Sequence, residues 1–358
     1  MHCTHEQVIG NHLYSGRILG TSEPEDSIQL HPDLKPEWEA IVAHYDRIGL
    51  SHSTNVIWDV ALQIIEDYPT YAPSVFYFGD ANHNHQIDDG WFKNIDPEWY
   101  GVVDYINSKN NFMAKAYELG VPVPWTQCFD NKAAVNLDDD YPYPCYLKPA
   151  VSVDGMGIVR CENKEALQAA LANSSDNVPL QIQEEIITQT FLNLQYRVTA
   201  NGLQRFACTE QILDNCTHVG NRYPSSHEPW DKVEPMAQWM AERGMKEIFA
   251  FDVAVVPDDE GNRYLSLECN PRFNGASYPT GIAKKLKLEN WSGETFTTKF
   301  RHLQDLDLQD LEFDPNTGTG IVLVNWGSIL VGKIVILLAG SIEEQERLRI
   351  QLKQRLSG

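Results

Sequence analysis

Apolar residues recur at strand spacing in two consecutive stretches past the middle of the chain. Residues 248–256 are an apolar run broken by one acid, Asp252. In residues 264–270, Leu265 and Leu267 alternate with smaller or polar neighbours, the period-2 pattern of a strand with one buried face. The turn-rich segment 257–262 predicts a hairpin that sets Asp252 beside Glu268.

Upstream, the spacing predicts a helix over 36–46, a strand or helix over 56–65 and a strand over 74–78, together an α/β layer. An amphipathic helix follows at 110–120, with Asn110 able to cap its start and Gly120 to end it. Val121-Pro-Val-Pro124 then enforces an extended exit. A helix start and acidic loop are expected at 131–140, a strand at 143–149 that carries Lys148, and a capped helix from Asn163 to Leu171. Residues 178–187 read as a strand ending in Glu184 and Glu185. Strands at 194–198 and 206–212 precede a polar, aromatic loop at 218–230. A helix is predicted at 276–285, a hairpin over 320–339 turning at 325–327, and a charged amphipathic helix at 341–356.

Composition narrows the class. The chain has 358 residues, 42% hydrophobic and 10% aromatic, enough to bury a large core in two or three subdomains. A formal charge of −22 argues against nucleic acid or an anionic membrane as partner. The seven cysteines show no CxxC pair, so reduced thiols in a cytoplasm are expected rather than disulfides or zinc. No basic segment followed by an apolar one marks the amino terminus, and the apolar run 320–339 is interrupted by Asn325 and Lys333, so no membrane span is expected. No glycine-rich dinucleotide fingerprint follows a strand.

Candidate chemistry gathers on the 264–277 stretch. Glu268 and Asn270 fall two apart and point the same way in extended chain, offering hard oxygen ligands suited to Mg2+. Asp252 is a third. Arg272 shares that face if the chain stays extended and could hold a carboxylate or phosphate through its planar fork. Cys269 points away and reads as core. A lysine in an apolar strand, Lys148, is tolerated where an anion meets its head group. Gly155 and Gly157 permit close approach of backbone amides to phosphate. His83 and His85, with Asp80 and Asp88 near, have no further ligand at zinc spacing and read as a polar loop.

In that order these motifs resemble the ATP-grasp superfamily, from Asn110 to about Ala283. Its acid on one strand and Glu-x-Asn-x-Arg on the next are matched by Asp252, Glu268, Asn270 and Arg272. The resemblance implies an ATP-grasp fold of α+β subdomains: an N-terminal α/β subdomain (1–105), a nucleotide-binding core (106–290, lid about 125–187) and a C-terminal hairpin–helix cap (291–358). It implies ATP as substrate and Mg2+, or Mn2+ in its place, held by Asp252, Glu268 and Asn270. Lys115 and Lys148 would meet the phosphates, and Asp154, Gly155, Met156 and Gly157 would cover them. Glu184, Glu185 and Ile186 would read the adenine. Asn193 or Gln195 would take the ribose in place of the usual acid, and Arg272 or Arg197 would hold the substrate. The implied reaction joins a small-molecule carboxylate to an amine through an acyl phosphate. Carboxylation, phosphotransfer and a non-catalytic nucleotide-binding module remain as alternatives, and a homo-oligomer is left open.

Overall fold

The computed structural model describes residues 9–59, 61–74, 90–152, 155–214, 217–259 and 261–357. In chain order the elements begin with β1 (Ser27–Gln29), α1 (Trp38–Arg47), β2 (Asn55–Ile57), α2 (Gly90–Ile95), α3 (Pro97–Ile106) and α4 (Lys109–Leu119). Next come β3 (Thr126–Phe129), β4 (Cys145–Pro149), β5 (Val159–Cys161), α5 (Lys164–Asn173) and β6 (Leu180–Glu184). Longer strands follow: β7 (Thr190–Thr199), β8 (Gly202–Asp214), β9 (Thr217–Tyr223), then α6 (Trp230–Glu242), β10 (Glu247–Asp258) and β11 (Gly261–Asn270). The last elements are α7 (Ser277–Lys285), β12 (Trp291–Thr297), β13 (Gly320–Asn325), β14 (Lys333–Ala339) and α8 (Ile342–Ser357).

The chain forms two compact units. One holds residues 92–207 and 227–272, the other residues 1–91, 208–226 and 273–358. We call them the central unit and the terminal unit.

The central unit contains a four-stranded sheet, β3-β6-β4-β5, and the strands β11-β10-β7 with the start of β8. Period-2 alternation decides what the small sheet buries. Cys145, Leu147, Leu180 and Ile182 point to one face and form a core with Leu167 and Leu171 of α5. Lys148, Gln181 and Gln183 point to the other. Helix α5 starts where expected because the Asn163 side chain accepts the Ala166 N–H at 3.0 Å. Replacing Asn163 with alanine should cost about 1 kcal/mol, read as a lower thermal midpoint of this unit.

Helix α4 begins earlier than the sequence predicts. Ser108 caps it, accepting from Asn111 N, and Gly120 closes it at φ 69°. Asn110 instead donates to the carbonyls of Phe129 and Leu180 at 3.3 and 3.2 Å, tying the helix to β3 and β6. The earlier start puts Lys109 at i, i+3, i+4, i+7 spacing with Phe112, Met113 and Ala116, all on the buried face.

The terminal unit carries the end of β8 with β9-β12-β14-β13, and the parallel pair β1-β2. Its early and late residues are joined directly. His44 Nδ1 meets Glu312 Oε1 at 2.8 Å while His44 Nε2 accepts Leu323 N–H at 3.1 Å. Tyr45 OH donates to Leu323 O at 2.9 Å, and buried Glu37 accepts Leu303 N–H at 2.7 Å. The segment expected to be a polar loop at 218–230 is strand β9 as far as Tyr223, because its backbone pairs with β8 and β12. The 320–339 run is the hairpin β13–β14, turning through a 3-10 segment at Gly327–Val331 rather than at 325–327. Among the described residues no helix is long and apolar enough to cross a membrane. Residues 75–78, expected as strand, and the His83/His85 loop lie outside the described residues.

Candidate active site

The site of the central unit is built on the β10–β11 hairpin. Asp252 pairs with Glu268 and Ala250 with Asn270, and on the other side Asp252 pairs with Asn193 of β7. Directly opposed residues of antiparallel strands point the same way, so Asn193, Asp252 and Glu268 form one row across three strands. A β-bulge between Asp252 and Val253 shifts the register just beyond that row. Asn270, Gln195 and Arg197 extend the same face, and Cys269 points into the core against Met240 Sδ at 3.8 Å.

The Asp252 carboxylate accepts from Asn193 Nδ2 at 2.7 Å and from Asn270 Nδ2 at 3.1 Å. Lys109 Nζ lies 3.0 Å from Glu268 Oε2 and 3.2 Å from Ser152 Oγ. Arg272 Nη1 donates to Asn107 Oδ1 at 3.3 Å. Asn107, Lys109, Ser152, Glu268, Asn270 and Arg272 line one pocket. Burial and the Glu268 charge push the Asp252 carboxyl up to about 7. Burial also pushes Glu268 up, but Lys109, then Lys148 and Arg272, outweigh it and hold that carboxyl below its ordinary range.

Two carboxylates that repel each other, flanked by the amides of Asn193 and Asn270, fit a hard divalent cation. Asn193 makes the fit specific: its Oδ1 is buried with no partner among the described residues, although its Nδ2 is bonded. An oxygen-seeking cation would satisfy that atom and remove the Asp252–Glu268 conflict.

Lys148 lies on the polar face of the small sheet, where its Nζ donates to Gln183 Oε1 at 2.6 Å. Gln183 Nε2 in turn donates to Thr126 Oγ1 at 2.9 Å. Burial lowers the Lys148 ammonium to about 8, against the pull of Glu268. Gln181, paired with Lys148 across the strands, is fully buried, and neither of its amide atoms has a partner among the described residues. The turn 155–157 places Gly155 and Gly157 at φ 72° and 77°, and a Cβ on Gly157 would come within 2.8 Å of Pro149 Cγ. Met156 between them is half-buried; Asp154 lies outside the described residues.

Four of the expected residues have partners within the protein. Lys115 is directed to Glu118 and lies 4.9 Å from the Trp239 ring centroid, so Lys109 and not Lys115 is the α4 lysine at the acids. Glu184 accepts Trp125 N–H at 2.8 Å, and Glu185 pairs with Arg160, leaving Ile186 half-buried after them. Asn193, read as a ribose contact, sits on Asp252. Arg197 is exposed on β7. Sequence reasoning missed Lys109, Gln181 and Gln183. The Lys109–Phe112–Met113–Ala116 spacing and the alternating glutamines of β6 were the available signals.

The family model for the ATP-grasp domain matches residues 106–276. That region of the chain is an ATP-grasp domain, and the protein belongs with the ATP-grasp fold. Solved structures agree on the fold across nearly the whole chain. N5-carboxyaminoimidazole ribonucleotide synthetase from Thermus thermophilus aligns at TM-score 0.59 and 14% identity, covering 96% of this chain and 97% of its own. N5-carboxyaminoimidazole synthase from Aspergillus clavatus, in complex with ADP and aminoimidazole ribonucleotide, aligns at 0.58 and 12%, covering 94% and 100%. The synthetase from Staphylococcus aureus complexed with ADP aligns at 0.58 and 13%, covering 85% and 86%. No curated protein matches the sequence.

Proposed function

We propose that the chain is an ATP-dependent ligase that activates a carboxylate as an acyl phosphate and passes it to an amine, releasing ADP and phosphate. The observation that carries this reading is the convergence of Asp252, Glu268 and Asn270 with Lys109 and Arg272 inside an ATP-grasp domain. Asp252, Glu268, Asn270 and the free oxygen of Asn193 would hold Mg2+, which supplies charge neutralisation at the transferring phosphoryl group. Lys109 and Lys148 would meet phosphate oxygens, and the 154–157 turn would lie over them. The end of β6 at Glu184–Ile186 would receive the adenine. Arg272, whose guanidinium shares the pocket, would orient the acid, with Arg197 further along the same sheet face.

Phosphoryl transfer of this kind depends mainly on positioning and charge, so the residues need no covalent role. Carboxylation is the same chemistry with bicarbonate as the acid. The near full-length likeness to carboxyaminoimidazole ribonucleotide synthetases makes it the second reading.

Phosphate release from Mg-ATP tests both. It should require one acid and one amine from a mixed pool that includes bicarbonate, and should vanish in Glu268→Ala. Dependence on bicarbonate alone among the acids would select the carboxylase. ATP binding without release under any pool would point to a binding module.

A further inference from the structure

A second cluster of ligating side chains lies in the terminal unit, at its amino-terminal end. His12 belongs to the 3-10 segment Asn11–Thr21, and His31 and Asp33 flank the start of another, Pro32–Glu37. His12 Nε2 is 3.4 Å from Asp33 Oδ2, and His31 Nδ1 is 3.6 Å from the same oxygen. The three ligand atoms all fall within 4.8 Å of one another, and the imidazoles meet edge to face with centroids 4.7 Å apart. A tetrahedral Zn2+ with bonds of about 2.0–2.1 Å spaces its ligand atoms by roughly 3.4 Å. Two of the three edges of such a site are therefore already set.

We propose that His12, His31 and Asp33 form a binding site for a borderline divalent cation, Zn2+ in preference to Mg2+. Two imidazole nitrogens and one carboxylate suit Zn2+, whereas Mg2+ takes oxygen and keeps its water. The His31 side chain is only 9% exposed and Asp33 is 56% exposed, so the protein fixes one side and leaves a coordination position open to water. Capping accounts for His31, whose Nδ1 accepts Asp33 N–H at 3.2 Å. It does not account for His12, brought to the same carboxylate from a different helical segment. Loading exchanges that long hydrogen bond for a coordination bond and ties the two segments together.

Co2+ is the probe, titrated into the full chain in excess Mg2+ so that oxygen-rich sites are occupied. The expected result is one tight Co2+ per chain with visible d–d absorption and no thiolate charge-transfer band. His12→Ala and Asp33→Asn should each weaken it at least about 100-fold. Zn2+ should displace the Co2+ and raise the thermal midpoint of the wild type but of neither variant. Asp33→Asn keeps the backbone N–H that caps against His31, so a folded variant is available even if His12→Ala is unstable. Undiminished binding in Asp33→Asn, a thiolate band, or no binding by the wild type would each overturn the site.

Discussion

Lys109→Met is expected to lower ATP-dependent phosphate release by about 10²–10³-fold, the usual cost of deleting one preorganised charge at a transferring group. Lys115→Met should stay within about twofold of wild type, because methionine keeps the packed stem and loses only a lateral pairing. The two lysines share a helix, yet one faces Glu268 at 3.0 Å and the other Glu118 and Trp239. Assayed side by side for phosphate release and nucleotide affinity, they separate an electrostatic role from a packing one. Equal losses in both variants would mean that the helix itself, and not Lys109, was being measured.

Asp252→Asn is expected to abolish turnover to a similar degree, by about 10³-fold, while making the metal-free protein more stable above pH 7. The native carboxyl titrates near 7, well above the unfolded value of about 3.9. Between those values the folded state binds more protons than the unfolded one, so stability falls as pH rises and the loss is complete above pH 7. Asparagine has no such titration. Solvent screening at the half-buried carboxylate holds the gain to about 1–2 kcal/mol, seen as a higher midpoint at pH 8 than at pH 5 relative to wild type. Mg2+ should stabilise the wild type and leave Asp252→Asn nearly unmoved. A variant that loses stability at pH 8 would show that Asp252 is a structural anchor.

The acids of this site were legible because strand alternation and a turn-rich link together dictate register. Once 257–262 folds back, Asp252 can oppose only Glu268 or a near neighbour. Lys148 was legible for a similar reason, a charge in an apolar strand. Lys109 was not, because Asn110 offered a rival cap two residues after Ser108 and placed Lys109 outside the helix. Asn193 was read as a ribose contact, and its place beside Asp252 follows from the strand it pairs with rather than from anything local. Nor could any local pattern reveal that residues 1–91 and 273–358 share a unit, which rests on bonds such as Leu323 N–H to His44.

Those end-to-end bonds impose an order on biosynthesis. Glu37, His44 and Tyr45 emerge from the ribosome early, but Leu303, Glu312 and Leu323 must follow before their polar groups are met. At about 5–20 residues per second the delay is on the order of ten to fifty seconds. The central unit is fully translated by Arg272 and can fold during that interval. Premature termination after 272 would therefore leave residues 92–207 and 227–272 complete while Glu37, His44 and Tyr45 lack their later partners.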